Sequence, residues 1–252
     1  MILRTDLLRA LDDLLQPGRF RDYGPNGLQV EGRNEIRNIV SGVTASRALI
    51  EAAIQADADA IFVHHGLFWR GQTGCVTGWM KQRLSLLLAH EINVFAYHLP
   101  LDAHPELGNN AQLGRKLGLV SQSRFGEQDL GCLGESVDGS AFPSSQHLAD
   151  HVSSVLNRPV THIATDNVAI NTIAWCSGGA QSYFEAAIAA GAQAFITGEM
   201  SEPQAHYARE CGVAYIACGH HASERYGAPA VAAHLADRFG LQHAFIDIDN
   251  PA

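Results

Sequence analysis

Ala60-Ile61-Phe62-Val63-His64-His65-Gly66 is a run of apolar, largely β-favouring residues that stops at two adjacent imidazoles and a glycine. A run that is apolar at every position reads as a strand of a parallel sheet, covered on both faces. Open α/β sheets bind their ligands just outside the carboxyl ends of such strands. Imidazole is the commonest metal-binding side chain, so two of them at a strand exit make a candidate metal site. The alternative for this stretch alone is that one histidine caps a loop and the other packs in the core.

Outward from this strand the chain alternates strand and helix. On the N-terminal side, Thr5 is placed to cap an amphipathic helix that Pro17-Gly18 stops near Leu15. Gly24-Pro25 and Asn26-Gly27 mark an ordered loop or hairpin leading into Leu28-Gln29-Val30. A strand over 36–43 and a helix over 47–56, capped within Thr44-Ala45-Ser46, precede the histidine strand. Beyond it, 66–80 reads as a loop anchored by Phe68, Trp69 and Trp79, followed by a helix over 80–90. A strand over 92–97 then exits into His98-Leu99-Pro100-Leu101-Asp102-Ala103-His104. Strands are further expected over 130–137, 160–164, 170–176, 195–197, 213–218 and 244–248, with helices over 109–117, 144–156, 182–190, 203–211 and 226–239.

The succession repeats. Glu51-Ala52-Ala53-Ile54 precedes Ala58-Asp59-Ala60-Ile61-Phe62-Val63-His64-His65, and Glu185-Ala186-Ala187-Ile188 precedes Ala192-Gln193-Ala194-Phe195-Ile196-Thr197-Gly198-Glu199 at the same spacing. The next strand exits match as well, with His98 four residues before Asp102 and His220 four before Glu224. Turn, helix, strand exit, helix and His-x-x-x-acid in that order point to an internal duplication. The expected architecture is therefore α/β, with two similar lobes and a metal site in the cleft between them. The first lobe is placed at 1–124 and the second at 125–252, where 125–170 forms a distinct βαβ-like segment and 171–252 repeats the core of the first.

Composition limits the function classes. Charged residues make up 17% of the 252, below the usual quarter, and the formal charge of −9 lacks the basic footprint of a nucleic-acid-binding face. Five cysteines without a CxxC pair predict buried thiols in a reducing compartment rather than a disulfide framework. No apolar run approaches a membrane span and no secretory signal is visible, so a cytoplasmic protein is expected.

His64, His65, Asp102, His220 and Glu224 offer three imidazoles and two carboxylates. That is more than one tetrahedral zinc with an open position takes, and suits two ions about 3.5 to 4 Å apart sharing a carboxylate, either Asp102 or Glu224. Nitrogen and oxygen donors without thiolate fit Zn, Fe, Mn, Co or Ni. His98 and His104 flank Asp102 and are read as orienting the carboxylate or a substrate. Glu199, at the repeat position of His65, is a candidate general base or supporting carboxylate, and Glu199 and His98 are the candidates for proton transfer. His221 is read as supporting or structural. Ser177-Gly178-Gly179 opens a helix and has the form of an anion cradle, with a plain strand-to-helix connection as the stronger reading. It lacks the Gly-Lys-Ser/Thr element of a P-loop.

Taken in order, Asp22-Tyr23-Gly24-Pro25-Asn26-Gly27-Leu28-Gln29-Val30-Glu31-Gly32, Val63-His64-His65-Gly66, His98-Leu99-Pro100-Leu101-Asp102, Ile196-Thr197-Gly198-Glu199 and Gly219-His220-His221-Ala222-Ser223-Glu224 resemble the Nif-three-like family whose members are labelled GTP cyclohydrolase 1 type 2 homologues. The resemblance covers nearly the whole chain and looks closest to the short enterobacterial-type members. It implies two divalent ions held by His64, His65, Asp102, His220 and Glu224, and a toroidal homohexamer built as a trimer of dimers. It also implies hydrolysis of a small molecule, with a metal-activated water attacking a purine-like ring. The alternative from another class is a non-catalytic metal-binding or partner-interaction hexamer.

Overall fold

The structure is a computed structural model and describes residues 1–166 and 168–252. In chain order its elements are β1 (Ile2–Leu3), α1 (Arg4–Leu15), β2 (Gly27–Val30), β3 (Glu35–Ile36), β4 (Asn38–Thr44), α2 (Arg47–Gln55), β5 (Ala60–His65), α3 (Gly78–Ala89), β6 (Asn93–Ala96) and α4 (Leu99–Ala103). These are followed by α5 (Asn109–Lys116), β7 (Leu119–Phe125), β8 (Gly131–Ser136), α6 (Ser145–Leu156), β9 (Thr161–Ile163), β10 (Ile173–Trp175) and α7 (Phe184–Ala189). The chain closes with β11 (Ala194–Thr197), α8 (Glu202–Cys211), β12 (Ala214–Ala217), α9 (His220–Ser223), α10 (Gly227–Phe239) and β13 (Gln242–Phe245). No helix among the described residues is long and apolar enough to cross a membrane.

The chain divides into two compact units, Met1–Gly108 with Arg225–Asp249, and Asn109–Glu224 with Asn250–Ala252. The expected break between 124 and 125 is therefore displaced. It falls inside β7, which belongs wholly to the second unit because it forms an antiparallel ladder with β8. Residues 225–249 return to the first unit because β13 pairs in parallel with β4 there.

In the first unit the sheet order is β13-β4-β5-β6-β2, parallel except for β2, which runs antiparallel along β6. The alternation along β5 sends Ala60 and Phe62 into a core with Leu7 and Leu11 of α1 and Val231 and Leu235 of α10. Ile61 and Val63 go to the other face, against Leu49 and Ile50 of α2 and Leu87 of α3. Burial on both faces is why β5 is apolar at every position. Ser46 caps α2, accepting the Leu49 N–H at 3.2 Å. Thr5, in contrast, lies inside α1 and caps nothing. The chain enters that helix straight from β1, which pairs with β3, and Arg4 N–H bonds Asn34 O at 2.8 Å. Trp79 is no anchor either, being 54% exposed on the first turn of α3 beneath the Arg83 guanidinium.

In the second unit the order is β7-β8-β10-β11-β12-β9, with β10, β11 and β12 parallel and β8 and β9 antiparallel to their neighbours. Phe184, Phe195 and Tyr215 pack as an aromatic cluster with ring centroids 4.8 to 5.8 Å apart. Trp175 and Phe184 are almost wholly buried.

The two units share a central succession, though the strand beside β4 is the parallel β13 and the one beside β10 the antiparallel β8. β4-α2-β5-α3-β6 corresponds to β10-α7-β11-α8-β12, and an antiparallel strand edges each, β2 on β6 and β9 on β12. One hydrogen-bond device recurs as well. Asp59 Oδ2 accepts Arg37 N–H (2.7 Å) and Asn38 N–H (3.0 Å), while its own N–H goes to Asn38 O. Gln193 Oε1 accepts Asn171 N–H (2.8 Å) and Thr172 N–H (3.0 Å), while its own N–H goes to Thr172 O. Equivalent residues thus clamp equivalent strand starts, as a duplication implies.

Candidate metal centre

The first unit gathers His64, His65, His98 and Asp102 at the carboxyl ends of β5 and β6. His64 is wholly buried, and its Nδ1–H donates to Tyr97 O at 3.1 Å, which puts Nε2 toward Asp102 Oδ1 at 3.5 Å. Asp102 is brought there by α4, which begins immediately after the β6 exit and is entered through Pro100 in its first turn. His65, half-buried, is held by Nδ1 against Thr44 Oγ1 at 3.2 Å. One ring nitrogen from each of His64, His65 and His98 lies within 4.8 Å of the other two.

His98 is fixed from behind by Asp22. Its Nδ1–H donates to Asp22 Oδ1 at 2.6 Å and its backbone N–H to Asn26 Oδ1 at 2.7 Å. The same carboxylate accepts N–H groups from Tyr23, Leu99 and the Asn26 amide. Burial works to raise the Asp22 pKa, but the hydrogen bonds and charge of His98, with those of Asn26 and Tyr23, hold it below the ordinary carboxylate value. This gives the Gly-Pro/Asn-Gly loop a purpose the turn signals alone do not reveal: it carries the carboxylate that orients His98. A small pocket beside this cluster is lined by His64, His98, Gly24, Asn26, Phe68 and Trp69.

The second unit gathers His220, Glu224 and Glu199. The i,i+4 spacing across α9 brings His220 Nε2 to 3.2 Å from Glu224 Oε2, whose residue is 2% exposed. His220 Nδ1–H donates to Glu199 Oε1 at 2.6 Å, and Gln181 Nε2–H donates to Glu199 Oε2 at 3.3 Å. Burial would lower the His220 pKa, but hydrogen bonds to and charges on Glu224 and Glu199 outweigh it and push the value up to about 9.

Ser177-Gly178-Gly179 is not an anion cradle. Ser177 N–H is taken by Asn110 Oδ1 at 2.7 Å and Gly178 N–H by Ser223 Oγ at 2.9 Å. What the turn supplies is space: a Cβ on Gly178, which sits at φ +68, would fall on the Glu224 carboxylate. Gly178→Ala is therefore expected to destabilise the protein by about 1–3 kcal/mol through left-handed strain and collision. A thermal melt indistinguishable from wild type would contradict this.

The remaining candidates fall elsewhere. His104 Nδ1 accepts the N–H groups of Glu106 (3.3 Å) and Leu107 (3.0 Å), so it shapes the loop after α4 rather than orienting Asp102, and burial lowers its pKa. His221 is buried in α9. Cys132, Cys176 and Cys218 are buried free thiols as expected, whereas Cys75 and Cys211 are exposed. Burial pushes the Cys218 thiol up to about 12.

A sequence profile of the Duf34/NIF3 (NGG1p interacting factor 3) family matches residues 2–251. A GTP cyclohydrolase 1 type 2 homolog of Allochromatium vinosum is 49% identical over 251 residues, covering 98% of this chain and 96% of that protein. One from Neisseria meningitidis serogroup A is 49% identical over 252 residues, covering all of both chains. Among solved structures, the protein ybgI, described as of unknown function, superposes with a TM-score of 0.95 at 43% identity over the full length of both chains.

Proposed function

Given that the chain belongs to the Duf34/NIF3 family, we propose that it binds two divalent metal ions through His64, His65, Asp102, His220 and Glu224 and hydrolyses a small molecule with a purine-like ring. The observation that carries the reading is how the donors are held. In both units an imidazole lies against a buried carboxylate, His64 by Asp102 and His220 by Glu224, while its Nδ1 is engaged by a supporting acceptor. Metal-ligating histidines are oriented in this way, and buried carboxylates are tolerated when they coordinate ions. The donor set therefore fits the ions that the family implies.

When bound, the ions supply Lewis acidity and lower the pKa of water, stabilising charge as a bond is attacked. The chain's own residues supply the geometry. Glu199 fixes the His220 ring, and Asp22 fixes that of His98, which together with Glu199 is the candidate for moving protons. The purine-like substrate follows from the name that the relatives carry. The homohexamer and the cytoplasmic location are part of the same proposal and rest on the resemblance.

The test is elemental analysis of the reconstituted chain, together with turnover of GTP and a nucleotide panel. Wild type is expected to hold two ions per chain and Asp102→Ala fewer than one, with no detectable turnover. Well under two ions in wild type would sink the metal reading. Full metal with equal turnover by Asp102→Ala, or with none by wild type, would favour the non-catalytic metal-binding reading for the compounds assayed.

A further inference from the structure

Asp102 and Glu224 account for the carboxylates of the proposed centre, but not for the third imidazole that faces His64 and His65. We propose that His98 serves as a metal ligand in place of the proton-transfer role, forming with His64 and His65 a three-imidazole site contained entirely within the first unit. The inference rests on the metal reading above only in taking His64 and His65 as ligands.

Three observations converge on it. A ring nitrogen from each histidine lies within 4.8 Å of the other two, and the ring centroids are 4.5, 4.9 and 5.7 Å apart. All three rings are held in one sense by their Nδ1: His64 on a backbone carbonyl, His65 on a hydroxyl and His98 on a carboxylate. The carbonyl and the carboxylate fix the hydrogen on Nδ1 of His64 and His98, so both rings present Nε2 as a donor, while the Thr44 hydroxyl serves either tautomer of His65. Finally, the Asp22 contact is the short carboxylate–imidazole pairing that raises a ligand's basicity.

A histidine kept only to brace the loop would need no particular neighbours for Nε2. Here the His98 ring lies among two further imidazoles and, with His64, lines a pocket. Zinc–nitrogen bonds of about 2.0–2.1 Å bring tetrahedral nitrogens to roughly 3.4 Å of one another, so closure asks each ring to move by about an ångström. Three neutral imidazoles suit Zn²⁺, Co²⁺, Ni²⁺ or Cu²⁺.

The experiment uses the full chain with His220→Ala and Glu224→Ala combined, titrated with Co²⁺ and followed by equilibrium dialysis and visible d–d absorption. The double variant is expected to keep one Co²⁺ per chain. Adding His98→Ala should weaken that binding about 100-fold, and adding Asp22→Asn about 10-fold, in line with losses of ligands and their supports. His98→Gln, which retains an amide donor for Asp22 without an imidazole, serves where the alanine variant melts early; it too is expected to lose the ion. If the double variant binds no Co²⁺ while wild type binds two, the three-imidazole site is overturned and the five-residue centre stands. Unchanged affinity and spectrum in His98→Gln overturn it as well. Wild type binding no ion at all would remove the metal reading itself.

Discussion

Trp175→Ala is expected to lower the stability of the protein by about 3–5 kcal/mol, read as a fall in the urea midpoint. Trp175 is 1% exposed, so truncation removes a fully buried indole from the centre of the second unit's sheet. The site has little capacity to collapse. Gly114 already presses its bare Cα against the ring, and a Cβ there would come within 2.8 Å of Cζ2. The indole Nε1–H also donates to Asn110 O at 2.9 Å, a bond that the variant loses. Asn110 in turn accepts Ser177 N–H and donates to Leu130 O, which ties the loss to the turn beneath Glu224. Trp175→Phe, which keeps a ring and loses the donor, should recover more than half of the loss. A midpoint shift in Trp175→Ala equivalent to under about 1 kcal/mol would mean that this core relaxes far more freely than its packing implies.

Asp59→Ala is the second large effect, again about 3–5 kcal/mol, because it leaves the partners of a buried carboxylate unpaired. Asp59 is 6% exposed and takes Arg37 N–H, Asn38 N–H and the Arg33 guanidinium at 2.9 Å. Without it, two backbone donors at the start of β4 and one cation lose their acceptor. Asp59→Gln is expected to cost far less, because Gln193 makes the same two backbone bonds in the second unit without any charge. The comparison isolates what ionisation adds. If the glutamine variant proves as unstable as the alanine, the clamp depends on the ion pair with Arg33 rather than on the shared geometry.

Much of this was legible in the residues because two signals coincided. Along β5 the unbroken apolar run and the abrupt change to imidazole mark one point in space twice, by burial and by chemistry. The repeat was legible for the same reason, with the spacing of Glu185–Ile188 to Glu199 reproducing that of Glu51–Ile54 to His65. β7 was not: Leu119–Phe125 is buried only at its two ends, so its ladder with β8 leaves almost no apolar period in the sequence. The role of Asp22 is not legible in the sequence, because nothing local says that its acceptors will be spent on His98 and Leu99, more than 70 positions away. Ser177-Gly178-Gly179 is the strand-to-helix connection its sequence favours, but the space that the missing Cβ of Gly178 leaves for the Glu224 carboxylate has no local signal. The unit boundaries failed because β13 and α10 return to the first unit after the whole of the second has intervened.

That return sets an order of events during synthesis. Residues 109–224 are an uninterrupted stretch, inserted into a unit whose parts emerge before and after it. Until residues 225–245 leave the ribosome, β4 has an unpaired outer edge and the core around Leu7, Leu11, Ile39 and Phe62 lacks the helix that covers it. An exposed strand edge beside bare apolar surface is the species most prone to mispair with another chain. The first unit is therefore closed only after residues 109–224 have been made, and the nascent chain passes through its most vulnerable state with His64, His65 and Asp102 already made.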